Sequence, residues 1–306
     1  MGTADIARLC RAHLFAPGSN ERVLAKVFAA GADAVVLDLE DAVAPAAKIE
    51  ARGLVAAALA ARSGCDCPRV AVRINGVDTA WWQDDLRAVV GPALHLVRVP
   101  KAESAEQLRA VDALLRSLES ERGLTAGSIG LVATIESARG VLLAADMASV
   151  GRLRGFAFGA ADFTRDINAD PAAADLVTLY ARQHLVLVSR ALNLDAPIAS
   201  VYTQVKDLDG LRRTTEEARA LGFFGRSCIH PSQVSVIQNV FTPAADRVAA
   251  ARAMLAAWNE AMARGTAAFT MPDGQFVDEA IIRRSRAIVA LADSLQKGPG
   301  DGSDLS

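Results

Sequence analysis

The sequence predicts an α/β fold, a (β/α)8 TIM barrel followed by a C-terminal extension of a hairpin and helices. Short apolar runs alternate with longer amphipathic runs eight times along the chain. The apolar runs are continuous, which is typical of parallel strands buried on both faces. No Gly-x-Gly-x-x-Gly motif follows the first run, so the rival interpretation, a doubly wound dinucleotide-binding sheet, has less support.

The predicted strands are short and each precedes a helical segment. In chain order they are "AHLFAP" (12–17), "DAVVLDLED" (33–41), "RVAVRIN" (69–75), "ALHLVRVPK" (93–101), "IGLVATIES" (129–137), "LRGFAFGAADF" (153–163), "APIASVYTQ" (196–204) and "FFGRSCIHP" (223–231). We therefore place the barrel domain at residues 1–242.

The remaining chain has a different pattern. Residues 243–296 are predicted to form an extension with a helix, a Pro-Asp-Gly turn between short extended pieces, and a last helix. We expect this extension to complete an active site, either that of its own subunit or that of a neighbouring one. Residues 297–306, rich in Gly and Asp, are predicted to be a disordered tail.

Composition excludes several classes of protein. Hydrophobic residues make up 52% of the 306 residues and charged residues 22%, enough for a sizeable core. A net charge of −2 gives no general attraction to nucleic acid or acidic membranes, and no apolar run reaches membrane-spanning length. Cys65-Asp-Cys67 lacks the spacing of a metal-binding pair and is interpreted as ordinary reduced thiols. We expect a cytoplasmic protein.

Polar residues stand where the predicted strands end. In strand order they are Asp38, Glu40 and Asp41; Arg73 and Asn75; Lys101; Glu136 and Ser137; Asp162; Gln204; and His230. The carboxyl ends of barrel strands converge on one face, where active sites of this fold lie. Single residues in this set could instead be helix caps or ion pairs.

Glu136, Asp162 and Arg73 favour a particular chemistry. Two carboxylates without nearby His or Cys favour a hard cation, Mg²⁺ first and Mn²⁺ next. Arg73 beside them could hold a carboxylate or polarise a carbonyl through charge-assisted hydrogen bonds. A cation with an arginine stabilises an alkoxide or enolate, so the pattern favours making or breaking C–C bonds next to carbonyls.

Other chemistries have weaker support. No Gly-x-Ser-x-Gly motif is present, which leaves a hydrolase triad unsupported. Lys101 could form a Schiff base, but no other feature requires one. His230 in "CIHP" is interpreted as a structural hydrogen-bonding residue rather than a catalytic base.

Several motifs together carry a family resemblance. The matching stretches are "RAHLFAPGSNERVLAK", "DAVVLDLEDAVAPAAKIEAR", "RINGVDTAWWQDDL", "VRVPKAES", "ATIESARGV", "FGAADF", "VYTQVKDLDGL" and "GFFGRSCIHPSQV". With them the chain resembles the HpcH/HpaI aldolase and citrate lyase β-subunit superfamily, in its CitE-like CoA-ester lyase branch. The resemblance implies the barrel, Mg²⁺ dependence and a homotrimer or hexamer.

The resemblance also implies roles for individual residues. Glu136 and Asp162 match the metal ligands, and Glu136 also borders the substrate. Arg73 and Arg11 match substrate-binding arginines. Asp38, Glu40 and Asp41 of "DLED" match acidic residues that surround the metal in the family. The resemblance implies that they act on the metal through water or through hydrogen bonds to its ligands. Asp278 matches an acid/base aspartate that enters a neighbouring subunit's site, although its position before "EAIIRRSRAIV" also suits a plain helix N-cap.

The expected function is a Mg²⁺-dependent lyase that cleaves malyl-, citramalyl- or citryl-CoA to acetyl-CoA and a 2-oxo acid. Four alternatives stay open: a citrate lyase β subunit acting on a citryl-acyl-carrier protein, a malyl-CoA thioesterase, a non-catalytic acyl-CoA-binding protein, and an aldolase of free keto acids. Ala199, Ser200 and Gln204 depart from the family pattern on strand seven, so the substrate itself is not identified.

Overall fold

The computed structural model describes residues 10–62, 68–265, 268–271, 274 and 276–297. Cys65, Cys67, part of the predicted Pro-Asp-Gly turn and the tail after residue 297 lie outside the described residues. The chain separates into two compact units, one of them Cys10–Phe241 and the other containing the described residues from Thr242 onwards.

The first unit is built on a parallel sheet of seven strands. They are β1 (Ala12–Pro17), β2 (Ala34–Asp38), β3 (Arg69–Arg73), β4 (Leu96–Val99), β5 (Gly130–Ile135), β6 (Leu153–Phe158) and β7 (Arg226–Cys228). Their spatial order is β6-β5-β4-β3-β2-β1-β7, and every pairing is parallel. Continuous burial of β2 and β5 explains their unbroken apolar sequences.

The seventh barrel position differs from the prediction of a strand over 196–204. Only isolated parallel bridges form there, Ala157 to Ile198 and Ala199 to Arg226. Pro197 has no N–H to donate, which limits regular pairing at this point. The bridges still join β6 to β7 and close the barrel, so the (β/α)8 prediction is confirmed with one reduced strand.

Helices surround these strands in the first unit. They are α1 (Glu21–Val27), α2 (Lys48–Ala60), α3 (Trp82–Val89), α4 (Ala105–Glu121), α5 (Ala138–Leu142), α6 (Ala144–Met147), α7 (Ala160–Asp166), α8 (Ala174–Val177), α9 (Leu179–Ala191), α10 (Leu208–Leu221) and α11 (Val234–Phe241). The start of α4 is fixed by side chains that cap its free backbone N–H groups. At α4, Ser104 and Gln107 form a reciprocal capping box.

The second unit contains the predicted helical and hairpin extension, which is confirmed. It consists of α12 (Ala245–Ala263), strands β8 (Phe269–Thr270) and β9 (Phe276–Val277), which pair antiparallel, and α13 (Glu279–Lys297). Its small core is formed by Trp258, Val277 and Ile282. Among the described residues of both units, no helix is long and apolar enough to cross a membrane.

Candidate active site

Asp38 and Arg73 form the centre of the charged cluster at the carboxyl ends of the strands. They are the last residues of β2 and β3 and face each other in register. Arg73 donates from Nε to Asp38 Oδ1 and from Nη2 to Oδ2, both at 2.6 Å. Burial alone would lower the pKa of Arg73, but the hydrogen bonds and charge of Asp38 outweigh it and raise the pKa. The guanidinium is therefore fixed and always charged.

The loop after β2 adds two further carboxylates. Glu40 is buried; its Oε2 lies 3.0 Å from Arg73 Nη1, and its Oε1 accepts a hydrogen bond from Lys101 Nζ. Asp41 is exposed and lies 3.3 Å from Lys101 Nζ. Lys48 donates from Nζ to the carbonyls of Leu39 and Glu40, at 2.9 and 3.0 Å. The loop is thus held by its backbone as well as by ion pairs.

Glu136 follows β5 and is only 5% exposed. Its Oε1 accepts the backbone N–H of Lys101 at 2.7 Å. Gly159, directly after β6, leaves room for the carboxylate, because a Cβ at that position would lie 2.5 Å from Glu136 Oε2. Burial, with smaller contributions from Asp162 and Glu40, raises the pKa of Glu136 to about 7.

Asp162 lies in the first turn of α7, close enough to Glu136 to raise its pKa. Arg165, one turn further on, approaches Asp162 at 2.7 Å, but its side chain is 77% exposed. An exposed pair of this kind contributes little free energy, so Asp162 keeps most of its capacity to bind another cation.

Glu136, Asp162, Arg73 and Asp38 line one cavity of about 1010 Å³. Its apolar wall includes Phe15 and other residues of the same unit, among them Phe158, Val201 and Ile229. A cavity of this size with converging polar groups on an otherwise apolar wall suits a small organic ligand.

Glu136 and Asp162 fit a hard divalent cation. A cation between them would relieve the repulsion that contributes to the raised pKa of Glu136. Within the described part of the chain, no group of three or more His, Cys, Asp or Glu side chains is placed to hold a metal. Mg²⁺ is commonly bound by only two protein carboxylates, and water and substrate then take its remaining coordination positions.

The structure does not bring Arg11 to this cluster. Arg11 directly precedes β1, at the amino-terminal end of the barrel, where its Nη2 lies 2.7 Å from Asp33 Oδ1. Arg11 is assigned by the family resemblance and not by the strand-end pattern, and it stands at the beginning of its strand. The expected contact between Arg11 and substrate therefore has no support from the geometry.

Asp278 lies in the second unit, at the start of α13. Its Oδ1 accepts the backbone N–H groups of Ala280 and Ile281, both at 3.0 Å. The N-cap interpretation of Asp278 is thereby confirmed. Its acid/base role stays a prediction.

Lys101 and His230 were the alternative catalytic residues. Burial opposes the charge of Lys101, but the hydrogen bond and charge of Glu40 outweigh it and raise the pKa of the amine. A Schiff-base lysine needs a lowered pKa, so Lys101 is a poor nucleophile. His230 caps the turn Pro231–Gln233 and contacts Ser232, which confirms its structural interpretation.

Sequence reasoning missed Arg98. It lies on β4, is 4% exposed and lines the cavity. It reaches across the barrel interior, donating to Thr134 Oγ1 on β5 at 3.2 Å and to Ser227 Oγ on β7 at 3.1 Å. The available signal was a charged residue inside the apolar run of β4, "LVRV", where burial is costly.

Comparison with known proteins agrees with this fold. The HpcH/HpaI aldolase/citrate lyase family profile matches residues 11–231. Citrate lyase subunit beta of Leuconostoc mesenteroides subsp. cremoris is 34% identical over 288 residues, covering 94% of each chain. A (3S)-malyl-CoA thioesterase of Cereibacter sphaeroides is 34% identical over 285 residues, covering 93% of this chain and 95% of that protein.

A solved structure is similar over nearly the whole chain. It is the CitE protein of Mycobacterium tuberculosis in complex with magnesium, acetoacetate and coenzyme A. The TM-score is 0.76 at 31% identity, covering 94% of this chain and 99% of that one. The chain belongs to the HpcH/HpaI aldolase/citrate lyase family, which includes lyases.

Proposed function

We propose that this protein is a Mg²⁺-dependent carbon–carbon lyase that cleaves a 3-hydroxy-carboxyacyl-CoA to acetyl-CoA and a 2-oxo acid. The candidate substrates are malyl-, citramalyl- and citryl-CoA. One observation carries the proposal: the buried carboxylate of Glu136 and the carboxylate of Asp162 share a cavity with the fixed guanidinium of Arg73. The CitE protein crystallised with magnesium and coenzyme A supports the choice of metal and ligand class.

Glu136 and Asp162 are the residues that would hold Mg²⁺. When bound, the ion supplies a positive charge that favours an oxygen anion on the substrate. Arg73 orients the hydroxy-acid end of the substrate and adds a second positive charge there. Asp38 and Glu40 hold Arg73 in place, so no reorganisation of the guanidinium is needed during the reaction.

The proton balance assigns a role to a further acid. When the C–C bond breaks, the substrate hydroxyl loses a proton and becomes the carbonyl of the 2-oxo acid. The acetyl thioester leaves as an enolate and takes up one proton. We propose Asp278 as the acid that delivers it, from a neighbouring subunit of a homotrimer or hexamer. The proton released by the hydroxyl restores this acid, so no net proton is gained or lost.

Two relatives make specific alternatives worth testing. In a malyl-CoA thioesterase, as the Cereibacter relative is named, water attacks the thioester and releases free CoA. A citrate lyase β subunit, as the Leuconostoc relative is named, would use an acyl-carrier protein in place of CoA. A catalytically silent acyl-CoA-binding protein would bind the thioester without turnover.

The test is product analysis on malyl-, citramalyl- and citryl-CoA, with Mg²⁺ and with EDTA. Acetyl-CoA with an equal amount of 2-oxo acid supports the lyase, whereas free CoA with the intact hydroxy acid indicates the thioesterase. Turnover only with carrier-protein thioesters indicates the β subunit. Binding without turnover contradicts an enzymatic function.

Matched variants connect the activity to the site. Glu136→Gln removes the buried carboxylate charge, and Asp278→Ala removes the proposed acid. Glu106→Gln is the control, because Glu106 is an exposed residue of α4 that is not among the described residues lining the cavity. We expect the first two variants to lose activity by about 100-fold or more and the control to keep it.

A further inference from the structure

Arg98 is a buried cation whose hydrogen-bond partners are neutral. Its three nitrogens are placed differently: Nε and Nη1 donate to the hydroxyls of Thr134 and Ser227, while Nη2 has no hydrogen-bond partner among the described residues. None of the ion pairs between described residues includes Arg98. A buried guanidinium held by neutral groups alone is energetically costly, because its charge has lost the stabilisation that water supplies.

Arg73, its neighbour in register on β3, is in the opposite situation. Each nitrogen of Arg73 lies within 3.0 Å of a carboxylate oxygen of Asp38 or Glu40. Both guanidinium groups contact the ring of Phe15, at 5.2 Å for Arg73 and 5.0 Å for Arg98. Of these two cations at paired strand positions, only Arg73 is neutralised by carboxylates of the protein.

The surroundings of Arg98 do not compensate its charge. Burial, then the nearby charge of Arg73, lowers the pKa of Arg98 to about 9, even though Glu136 and Asp38 act in the other direction. Burial, then the charge of Arg98, lowers the pKa of His13 to about 4, so this histidine is neutral at physiological pH. An anion entering from the cavity would therefore find a charge partner at Arg98.

The depth of Arg98 suggests which anion. Thr134, which accepts from Arg98 Nε, precedes Glu136 by two residues on the same chain segment. At about 3.3 Å per residue, Thr134 lies about 7 Å deeper in the barrel than Glu136. A 2-oxo acid whose first carboxylate bound the cation that Glu136 and Asp162 would hold would extend its other end toward this floor.

We propose that Arg98, with Thr134 and Ser227, forms a subsite for a second carboxylate on the oxo-acid half of the substrate. The inference rests on the proposed function and narrows it to substrates that release a dicarboxylic 2-oxo acid. Of the three candidates, citryl-CoA has this second carboxylate, whereas malyl- and citramalyl-CoA carry hydrogen or methyl there. Arg98 is then a specificity-determining residue.

The experiment measures ligand binding rather than turnover. Malate and lactate both carry a carboxylate and a 2-hydroxyl, but malate has a second carboxylate where lactate has hydrogen. Calorimetric titration of the full chain with each, in Mg²⁺, gives the ratio of their dissociation constants. One charge-assisted contact in a buried site predicts that the wild type binds malate about 10- to 100-fold more tightly than lactate.

Arg98→Met removes the charge and keeps an unbranched side chain. We expect it to weaken malate binding about 10- to 100-fold, to leave lactate binding within about twofold, and to remove the preference. Arg98→Lys keeps the charge without the planar fork, so we expect it to retain part of the preference. The melting temperature of Arg98→Met should not fall, because the variant removes an uncompensated buried charge.

Arg226→Met is the matched control. Arg226 is also a buried arginine on a barrel strand, and its Nη1 donates to the Thr215 hydroxyl at 3.2 Å, but it is not among the described residues lining the cavity. An unchanged malate preference in Arg226→Met, with its loss in Arg98→Met, supports the subsite. An unchanged preference in Arg98→Met, or an equal loss in both variants, overturns it.

The outcomes also separate this inference from the proposed function. If the wild type binds lactate and malate equally, the hydroxy-acid site stands and the second-carboxylate subsite is wrong. If the wild type binds neither ligand in Mg²⁺, both the subsite and the proposed 2-oxo acid site are wrong.

Discussion

Replacing Gly159 with alanine tests whether the space beside Glu136 is what positions the proposed metal ligand. The alanine Cβ would lie 2.5 Å from Glu136 Oε2 and 2.7 Å from Glu136 Cβ. The backbone angles at Gly159, φ −106° and ψ 85°, do not belong to the left-handed region that favours glycine. Any effect of Gly159→Ala therefore comes from the contact with Glu136.

The expected cost follows from the crowding. Because Glu136 is buried and its Oε1 accepts the Lys101 N–H, the side chain has little room to yield. Overpacking of this kind destabilises proteins by about 1–3 kcal/mol. A displaced carboxylate should also lower Mg²⁺ affinity by about 10- to 100-fold, as disturbing the support of a metal ligand commonly does.

The assay combines calorimetric Mg²⁺ titration with urea unfolding of the metal-free protein. Gly155→Ala is the control on the same strand, β6, where a Cβ would lie 3.2 Å from the carbonyl of Asp195, away from Glu136. We expect the control to lose some stability and no Mg²⁺ affinity. Wild-type Mg²⁺ binding by Gly159→Ala would refute the reasoning that this glycine sets the position of Glu136.

Three further predictions concern charges. Burial raises the pKa of Glu136 from 4.5 to about 7, so between these pH values the metal-free folded protein keeps a proton on Glu136 that the unfolded chain loses. The free energy of unfolding should therefore fall by up to about 3 kcal/mol from pH 4.5 to 7. Mg²⁺ affinity should fall about tenfold per pH unit below pH 7, because the ion competes with that proton. Unfolding and Mg²⁺ titrations across pH check this, and an unchanged pH dependence in Glu136→Gln would contradict it. Borohydride treatment with pyruvate should leave no adduct on Lys101 by mass spectrometry, because Glu40 keeps the amine protonated. Arg11→Met should cost about 1–3 kcal/mol by removing the ion pair with Asp33, which keeps its hydrogen bonds from Gln238 and from backbone N–H groups, yet change KM by less than about twofold. A larger KM effect would place Arg11 in the site after all.

The fold could be predicted because continuous apolar runs constrain it strongly. The first predicted strand, 12–17, matches β1 to the residue, and the predicted strands 69–75 and 129–137 contain β3 and β5. The segment 196–204 reads as a strand because it is apolar, but pairing also requires backbone donors, which Pro197 lacks. The pattern of apolar residues shows which segments are buried, but it does not show whether their backbones can form regular strand hydrogen bonds.

The site was predictable only in part, for a related reason. Polar residues that follow a strand are visible in sequence, and Asp38, Arg73, Glu136 and Asp162 line one cavity as the pattern predicts. Arg98 could not be assigned because its role depends on the absence of a carboxylate partner, which is a property of three-dimensional packing.

Some charged side chains of the cavity form ion pairs within the protein, and others do not. Arg73 is matched by Asp38 and Glu40, and Glu40 also by Lys101, which makes this part of the wall rigid. Among the buried groups facing the cavity, Glu136 and Arg98 have no such ion pair within the described residues, and they are of opposite sign. Leaving both charges unpaired is unfavourable in the ligand-free protein, and each is relieved by a ligand of the other sign. A cation at Glu136 and a carboxylate at Arg98, about 7 Å apart in depth, would be bridged by one hydroxy-acid molecule, so the cavity selects for that combination rather than for either ligand alone.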